Sequence, residues 1–428
     1  MTLAYLHILR SPDKKKVYVA SLAETLLVLS VFTKEIGSRR IFGIDFDFIA
    51  YPFAILFLLF HVKDIILSET FPWKIYVYLA ITSLFSILFL QLSYDGFLKQ
   101  FLPIIIIFSV NFFIATKYNW RMLFRLYVKF AYLSAIFGII QVIASYAGIN
   151  LLNRQAGRLD SIAYEPSHYA AILMPALVFT FFHFKQYKLY FFTMLAALVL
   201  TFNLTGYLAF LVVISIAYIN PLYIMISIPV LYYIVFHVLV NFNENFNSRI
   251  IETQQVFSGD VNVLTRQAVT NGTTVSLYSN LMVAEENLKN GNVIGSGLGG
   301  HEEMYYRYFE NSSFRYSWFY GLNAPSGHSL TIRIFSEFGL LGLILYVATL
   351  ARKVILLDNG IYRSISLACL SHFVCKSFKL GGFIDYGTPF FLAILFINFR
   401  HYKKTTAKSK LNNARKKPAL PLSLQPVA

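Results

Sequence analysis

Cysteine is nearly absent from this chain of 428 residues: there are two, Cys369 and Cys375. Both stand inside one apolar segment, so a disulfide framework is excluded as the organising device. Cys369, His372 and Cys375 stand three apart, but on a helix that spacing spreads them over about 120°, with no fourth ligand nearby, so they read as packing residues. Charge is scarce as well. Ionisable Asp, Glu, Lys and Arg make up 14% of the chain, and the acidic sign is the scarcer, 21 against 37 basic, for a net charge of +16. Much of the basic excess lies at the two ends, in Arg10, Lys14, Lys15 and Lys16 and in RHYKKTTAKSKLNNARKK. No basic, aromatic-interleaved folded domain accompanies it, so no nucleic-acid partner is expected. A removable signal peptide is not expected either, because the first apolar run lacks a small-residue cleavage site and leads into further apolar runs. Internal repeats with matching Gly/Pro-broken helices, the pattern of many transporters, are also missing.

What the chain has in excess is apolar length. Hydrophobic residues make up 57% and mean hydropathy is +0.58. Apolar windows lie near 17–33, 44–62, 75–95, 99–116, 124–148, 167–184, 188–203, 205–219, 221–240, 328–350, 360–378 and 383–399. Stretches of about 17–25 such residues cross a bilayer as helices. The expected fold is therefore an all-α polytopic membrane protein with about twelve transmembrane helices. The charged stretches HVKDIILSETFPWK, KYNWRMLFR, HFKQYK and ARKVILLDNG fall on the same side as both basic termini, as the positive-inside rule requires. KEIGSRR at 34–40 is the exception. An even number of spans leaves both termini in the cytoplasm. It also divides the chain into an N-terminal bundle of about nine helices at 1–240, a large extracytoplasmic loop at 241–327, about three helices at 328–399 and a basic cytoplasmic tail at 400–428.

Loops of that length are functional or disordered. This one has helical periodicity around LYSNLMVAEENL, a turn at GNVIGSGLGG and an aromatic run YYRYFENSSFRYSWFY, so order is expected. GSGLGG follows no strand of a Rossmann unit and reads as a compact turn. Asp45 and Asp47 have the Asp-x-Asp form that holds divalent metals, but two-residue spacing splits them across a helix, so no metal is assigned to them.

Three groups of residues are candidates for chemistry. In RQAGRLDSIAYEPSHYA at 154–170, Arg154 and Arg158 offer guanidinium forks suited to phosphate, and Glu165 precedes Pro166 at the start of an apolar window. Glu165 is read either as a cap on that helix or as a reacting group. In GLNAPSGHSLTIRIFSEFG, His328 lies at the lip of the next apolar window, with Arg333 and Glu337 spaced to pair deeper on one helix face. A buried ionisable pair is read either as part of a site or as a structural tie. The outer loop supplies Arg249, Arg266, Arg307 and Arg315, for which anion binding is the economical reading. The aromatics near Arg307 and Arg315 suit a membrane interface or stacking against sugar rings.

Taken together, these segments resemble the O-antigen polymerase and ligase superfamily of bacterial envelope enzymes, the Wzy and WaaL type. The likeness is carried by Arg158 through Glu165-Pro166-Ser167, by the hairpin LTFNLTGYLAF, and by Arg266 ahead of Gly295-Ser296-Gly297-Leu298-Gly299. His328 opening a helix that continues to Glu337-Phe338-Gly339-Leu340-Leu341-Gly342 completes it. The resemblance covers roughly 150–345 and the twelve-span layout. It implies a GT-C-like glycosyltransferase of the bacterial inner membrane, acting without metal or cofactor at the outer face. The implied reaction transfers a glycan from undecaprenyl diphosphate to a sugar hydroxyl, either polymerising O-antigen or capsular repeat units or, as a ligase, loading lipid A–core. The abundance of Phe and Tyr, 42 and 29, favours the polymerase branch. A flippase or transporter of the same lipid-linked oligosaccharide is the reading from another class. A chain-length regulator and a flippase are the implied partners. By matching position, Arg158 and Arg266 are implied to bind diphosphate or glycan, supported by Arg154 and Arg249, while His328, and after it Glu165, is implied to deprotonate the acceptor. Asn203-Leu204-Thr205-Gly206 departs from the family's serine–arginine pattern in the hairpin turn.

Overall fold

A computed structural model of the protein describes residues 9–10, 17–18, 21–38, 47–66, 72–152, 157–218, 272–358 and 360–416. Apart from a two-residue antiparallel pair, Leu9–Arg10 with Val17–Tyr18, the described chain is helical. The first eight helices are α1 Leu22–Ser38, α2 Asp47–Ile66, α3 Trp73–Leu90, α4 Tyr94–Lys117, α5 Trp120–Tyr146, α6 Pro166–Phe182, α7 Phe184–Leu200 and α8 Leu204–Tyr218. After the undescribed 219–271 come α9 Gly272–Lys289, α10 Gly300–Phe309, α11 Leu330–Lys353, α12 Ile361–Phe378 and α13 Thr388–Lys416. Each predicted apolar window except 221–240, which lies outside the described residues, matches one of these helices to within a few residues, save that α13 runs on beyond the last window. Four of them, α3, α4, α5 and α11, are long and apolar enough to cross a membrane, and Leu22–Phe32, α6 and α8 are shorter apolar helices. The 27 residues of α5 extend over about 40 Å, more than a hydrocarbon core is thick. Large apolar side chains such as Phe60 (82% exposed) and Phe89 (70%) face outward, as expected of a surface solvated by lipid.

Helix α6 is the centre of the bundle, packed against α5, α7, α8 and α12 and buried on nearly every side. Pro175 removes a donor from its interior, which leaves the carbonyl of Ala171, four residues back, without its helical partner. His372 of α12 supplies the missing donor, with Nδ1 3.0 Å from that oxygen. One residue on, the Tyr127 hydroxyl enters the ladder: it donates to Ile172 O at 2.5 Å and accepts from the Ala176 N–H at 3.2 Å. His372 Nε2 faces the Thr388 hydroxyl at 3.0 Å, so both ring nitrogens serve the packing of α6, α12 and α13.

A second break organises the other half. Within α11, Gly339 has φ 63° and ψ −164°, which frees the carbonyls of Ser336 and Glu337. The turn predicted at GNVIGSGLGG fills the gap. Ser296 N–H donates to Ser336 O at 2.9 Å, Gly297 N–H to Glu337 O at 2.7 Å, and Gly299 N–H to Glu337 Oε1 at 3.0 Å. A Cβ on Gly295 would meet the Glu337 and Gly339 backbone, at 2.5 Å from Gly339 N, so the glycine is required for close approach. On its other side the turn is held by Ser86, which donates to Gly295 O, and by Ser83, which accepts from Leu298 N–H, both at 2.9 Å.

The described part of the expected loop has its own small core of Val275, Val283, Tyr305, Phe309, Phe314 and Ala324. Six of the nine aromatic residues in the run are thus internal packing, Tyr305, Phe309 and Phe314 in the core with Tyr308, Phe319 and Tyr320 against it, while Tyr316 (88% exposed) and Trp318 (94%) remain on the surface. Arg307 donates to the Leu90 and Gln91 carbonyls at 2.8 and 2.7 Å, so it caps the C-terminus of α3 and corrects its reading as an anion ligand. The helix α13 continues to Lys416, well past the predicted end of the span at 399 and into the basic tail. At one end of the bundle, cations and rings meet: Arg121 lies over Tyr362, Lys353 over Phe396 and Phe399, and Trp120 packs against His401. The basic stretches that begin at Lys117, Ala351 and Arg400 therefore share a face.

Candidate functional site

At the opposite end, where α6 and α11 begin and α12 finishes, there is a cavity of about 500 Å³. Four distant segments line it: Tyr164, Glu165 and His168 before and within α6; Gly272 and Thr273 of α9; Leu322 to His328; and Lys379 to Tyr386 after α12. Backbone strain gathers here. Asn323, His328, Leu380 and Tyr386 have φ of 60°, 60°, 82° and 55°, a left-handed conformation that non-glycine residues adopt at a cost. They make up half of the non-glycine residues with positive φ in the described chain. Leu380 N–H donates to His328 O at 2.8 Å, so two of these strained residues hold each other.

The two sequence candidates for a base, His328 and Glu165, both line this cavity. The cap reading of Glu165 is half right. The residue occupies the N-cap position of α6, but its carboxylate makes no capping hydrogen bond. Its Oε2 instead accepts from Lys379 Nζ at 3.1 Å and lies 3.7 Å from His168 Nε2. His168 Nδ1 is 3.1 Å from the Tyr386 hydroxyl, so one polar chain runs Tyr386, His168, Glu165, Lys379 along the wall.

His328 is 3% exposed and is held through Nδ1, 3.0 Å from Ser276 Oγ, to which the amide nitrogen of Asn323 also donates at 2.9 Å. Ser276 Oγ also lies 2.9 Å from the Leu322 carbonyl, which can take its only proton. His328 then carries its own proton on Nδ1 and donates it to Ser276, leaving Nε2 with a lone pair. Burial, and after it the nearby Lys379, pushes the His328 pKa down to about 4, against a partial opposing effect from Glu165, so the ring is neutral at pH 7. Behind it, Asn280 donates to the Ser276 carbonyl at 2.6 Å and accepts from His301 Nε2 at 2.8 Å. His301 is fully buried and its pKa is pushed down to about 3, chiefly by burial and then by Arg333. It accepts from Ser336 Oγ at 2.7 Å, which ties this polar chain into α11.

No protein-family model and no curated protein matches this chain. Its candidate site therefore stands on geometry and on the residues themselves.

The other sequence candidates lie elsewhere. Arg333 and Glu337 pair as their spacing implied, at 3.2 Å, but beneath the cavity and not in it. The Arg333 guanidinium is fully engaged by Glu337, the Gly381 carbonyl, Gln100 and the face of Phe383. Of the two readings, part of a substrate-binding site or a structural tie, these contacts are those of the tie: they join α11 to α4 and to the loop after α12. Arg158 does not line the cavity; its guanidinium donates to the Thr201 carbonyl at 3.1 Å and to that of Phe202 at 3.4 Å, bracing the turn between α7 and α8. Arg154, Arg249 and Arg266 lie outside the described residues, as does Asp45. The sequence reading missed Lys379, His168, Asp385 and Tyr386. Lys379 stood in a four-residue gap between predicted windows, and Asp385 and Tyr386 fell inside the window that begins at 383. A charged residue flanking each window on the outer face would have been the signal.

Proposed function

We propose that this chain is a glycosyltransferase of the O-antigen polymerase and ligase type, joining undecaprenyl-diphosphate-linked repeat units at the outer face of a bacterial inner membrane. The observation that carries the reading is the cavity that sets His328, held neutral by its burial, beside a carboxylate and a lysine. In this reading the described helices belong to a twelve-span, GT-C-like architecture with the basic face and both termini in the cytoplasm. An acceptor sugar hydroxyl enters the cavity and gives its proton to His328 Nε2 as its oxygen bonds to the anomeric carbon of the donor. The bond from that carbon to the phosphate oxygen breaks, and the lipid diphosphate leaves with the electron pair. Lys379 offsets the developing negative charge, a role the sequence reading gave to Arg158 and Arg266. The polymerase reading is preferred to the ligase on the resemblance and the abundance of Phe and Tyr, and to the flippase because the sequence shows no internal repeats and carries one large one-sided loop.

The test is reconstitution of the purified protein with a lipid-diphosphate-linked repeat unit, followed by sizing of the glycan. Longer chains are expected; movement of the lipid across the bilayer with no new glycosidic bond would refute the transferase reading.

A further inference from the structure

A second cavity, of about 310 Å³, lies between α9 and α10, at the small end of the range for ligand pockets. Among the described residues, Glu286 and Asn287 of α9, Asn290 just beyond it, and Met304, Arg307 and Tyr308 of α10 line this hollow. The transfer reaction uses none of them. Arg307 pairs with Glu303 at 2.6 Å and also donates to the Leu90 and Gln91 carbonyls, so no anion is needed to balance it. Glu286 accepts from Asn290 Nδ2 at 3.3 Å, and an ionised carboxylate has capacity for further donors. That charge disfavours a phosphate and favours hydroxyl groups. Tyr308 packs against the small loop core and also borders the hollow. A ring there suits the apolar face of a sugar, and the adaptable Met304 supplies a wall beside it.

Asn287, 1% exposed, forms the floor. Its Nδ2 donates to the carbonyl and hydroxyl of Ser336 at 3.3 and 3.2 Å, while its Oδ1 is buried with no hydrogen-bond partner among the described residues. A buried acceptor left in that state costs free energy, and a ligand hydroxyl is the kind of donor that completes it. From Asn287 a buried polar chain runs to the base. Ser336 Oγ is 2.7 Å from His301 Nδ1, His301 Nε2 is 2.8 Å from Asn280 Oδ1, and Asn280 Nδ2 is 3.4 Å from Ser276 Oγ, which holds His328 Nδ1. The floor of the hollow and the base are therefore fixed relative to each other.

We propose that the hollow between α9 and α10 is a saccharide-binding site, which grips one hydroxyl-bearing residue of a glycan at a fixed offset from His328. That this glycan is the one being elongated rests on the transferase reading. No bond is made or broken in the hollow. Tyr308 stacks on the sugar ring and Glu286 accepts from its hydroxyl groups, so the chain stays attached to the protein outside the reaction cavity.

Saturation-transfer NMR on the full-length protein in micelles, with the repeat-unit oligosaccharide released from its lipid diphosphate as probe, tests the grip without any transfer. The wild type is expected to bind the probe. Glu286→Gln and Tyr308→Ala each weaken binding by about tenfold, through loss of a charged hydrogen bond and of a stacked ring. Glu286→Gln keeps the size of the side chain, so weaker binding at an unchanged Tm is not a loss of fold. Tyr308→Phe keeps the ring and retains binding, and so does His328→Gln in the reaction cavity. Absence of binding by the wild type, or binding that is lost in His328→Gln and intact in both Glu286→Gln and Tyr308→Ala, overturns the grip whether or not chains elongate. The expected binding pattern without any chain elongation refutes the transferase reading and leaves the saccharide site standing.

Discussion

At the residue scale, the account turns on a histidine kept neutral by its surroundings. An ordinary histidine near pKa 6.5 loses base strength as a medium is acidified through that value, whereas His328 at about 4 does not. The acid limb of the pH–rate profile for glycan elongation is accordingly expected below pH 6; a limb centred near 6.5 would point to another base. The same shift affects stability. The unfolded chain takes up protons on His328 and His301 as pH falls below 6.5, while the folded chain resists until about 4 and about 3. Their stabilisation is therefore complete above pH 6.5 and is lost as pH falls through that window, by up to about 3 kcal/mol for His328 and about 5 kcal/mol for His301. Thermal unfolding in detergent at pH 7 and pH 4.5 measures it, and His328→Gln is expected to flatten the dependence. Ser276→Ala removes the acceptor that fixes the His328 tautomer and is expected to lower turnover while leaving donor binding unchanged.

At the scale of the element, each of the two central helices carries a defect that another segment repairs. Pro175 in α6 is answered by His372 and Tyr127, and Gly339 in α11 by the Gly295–Gly299 turn. Tyr127→Phe removes a hydroxyl that both donates and accepts, and is expected to cost about 1 kcal/mol in equilibrium unfolding, as buried hydrogen bonds in membrane proteins do. Gly295→Ala places a methyl group against the α11 backbone and is expected to be much more damaging, with loss of monodisperse protein on size exclusion. The helices themselves were readable from sequence because a bilayer requires a backbone to satisfy its own hydrogen bonds, so apolar length and helix coincide. The compact turn at GSGLGG and the Arg333–Glu337 pair were readable too, since each depends only on local spacing. What each docks against was not. The break at Gly339, the partners of Pro175 and the Lys379–Glu165 contact join segments tens to hundreds of residues apart, and no local pattern encodes them. The polar half of α13 was missed for the opposite reason, because nothing apolar marks it as helix.

At the scale of the whole molecule, the helices place a basic, aromatic-edged end opposite an end that holds the cavity. Single cysteines report this directly, because the native Cys369 and Cys375 are 0% and 2% exposed and should not react. With those two left in place, an impermeant maleimide added to intact cells is expected to label Trp318→Cys and not Lys403→Cys; the reverse pattern would invert the topology. The central claim is that glycosyl transfer takes place in the cavity between α6, α11 and α12. The most direct measurement compares the chain-length distribution of glycan made from a lipid-diphosphate-linked repeat unit by proteoliposomes of wild type and of His328→Ala. The account predicts polymer from the wild type and a rate reduced by about a hundredfold or more in the variant, with insertion and folding intact. Equal chain lengths and rates from the two would contradict it.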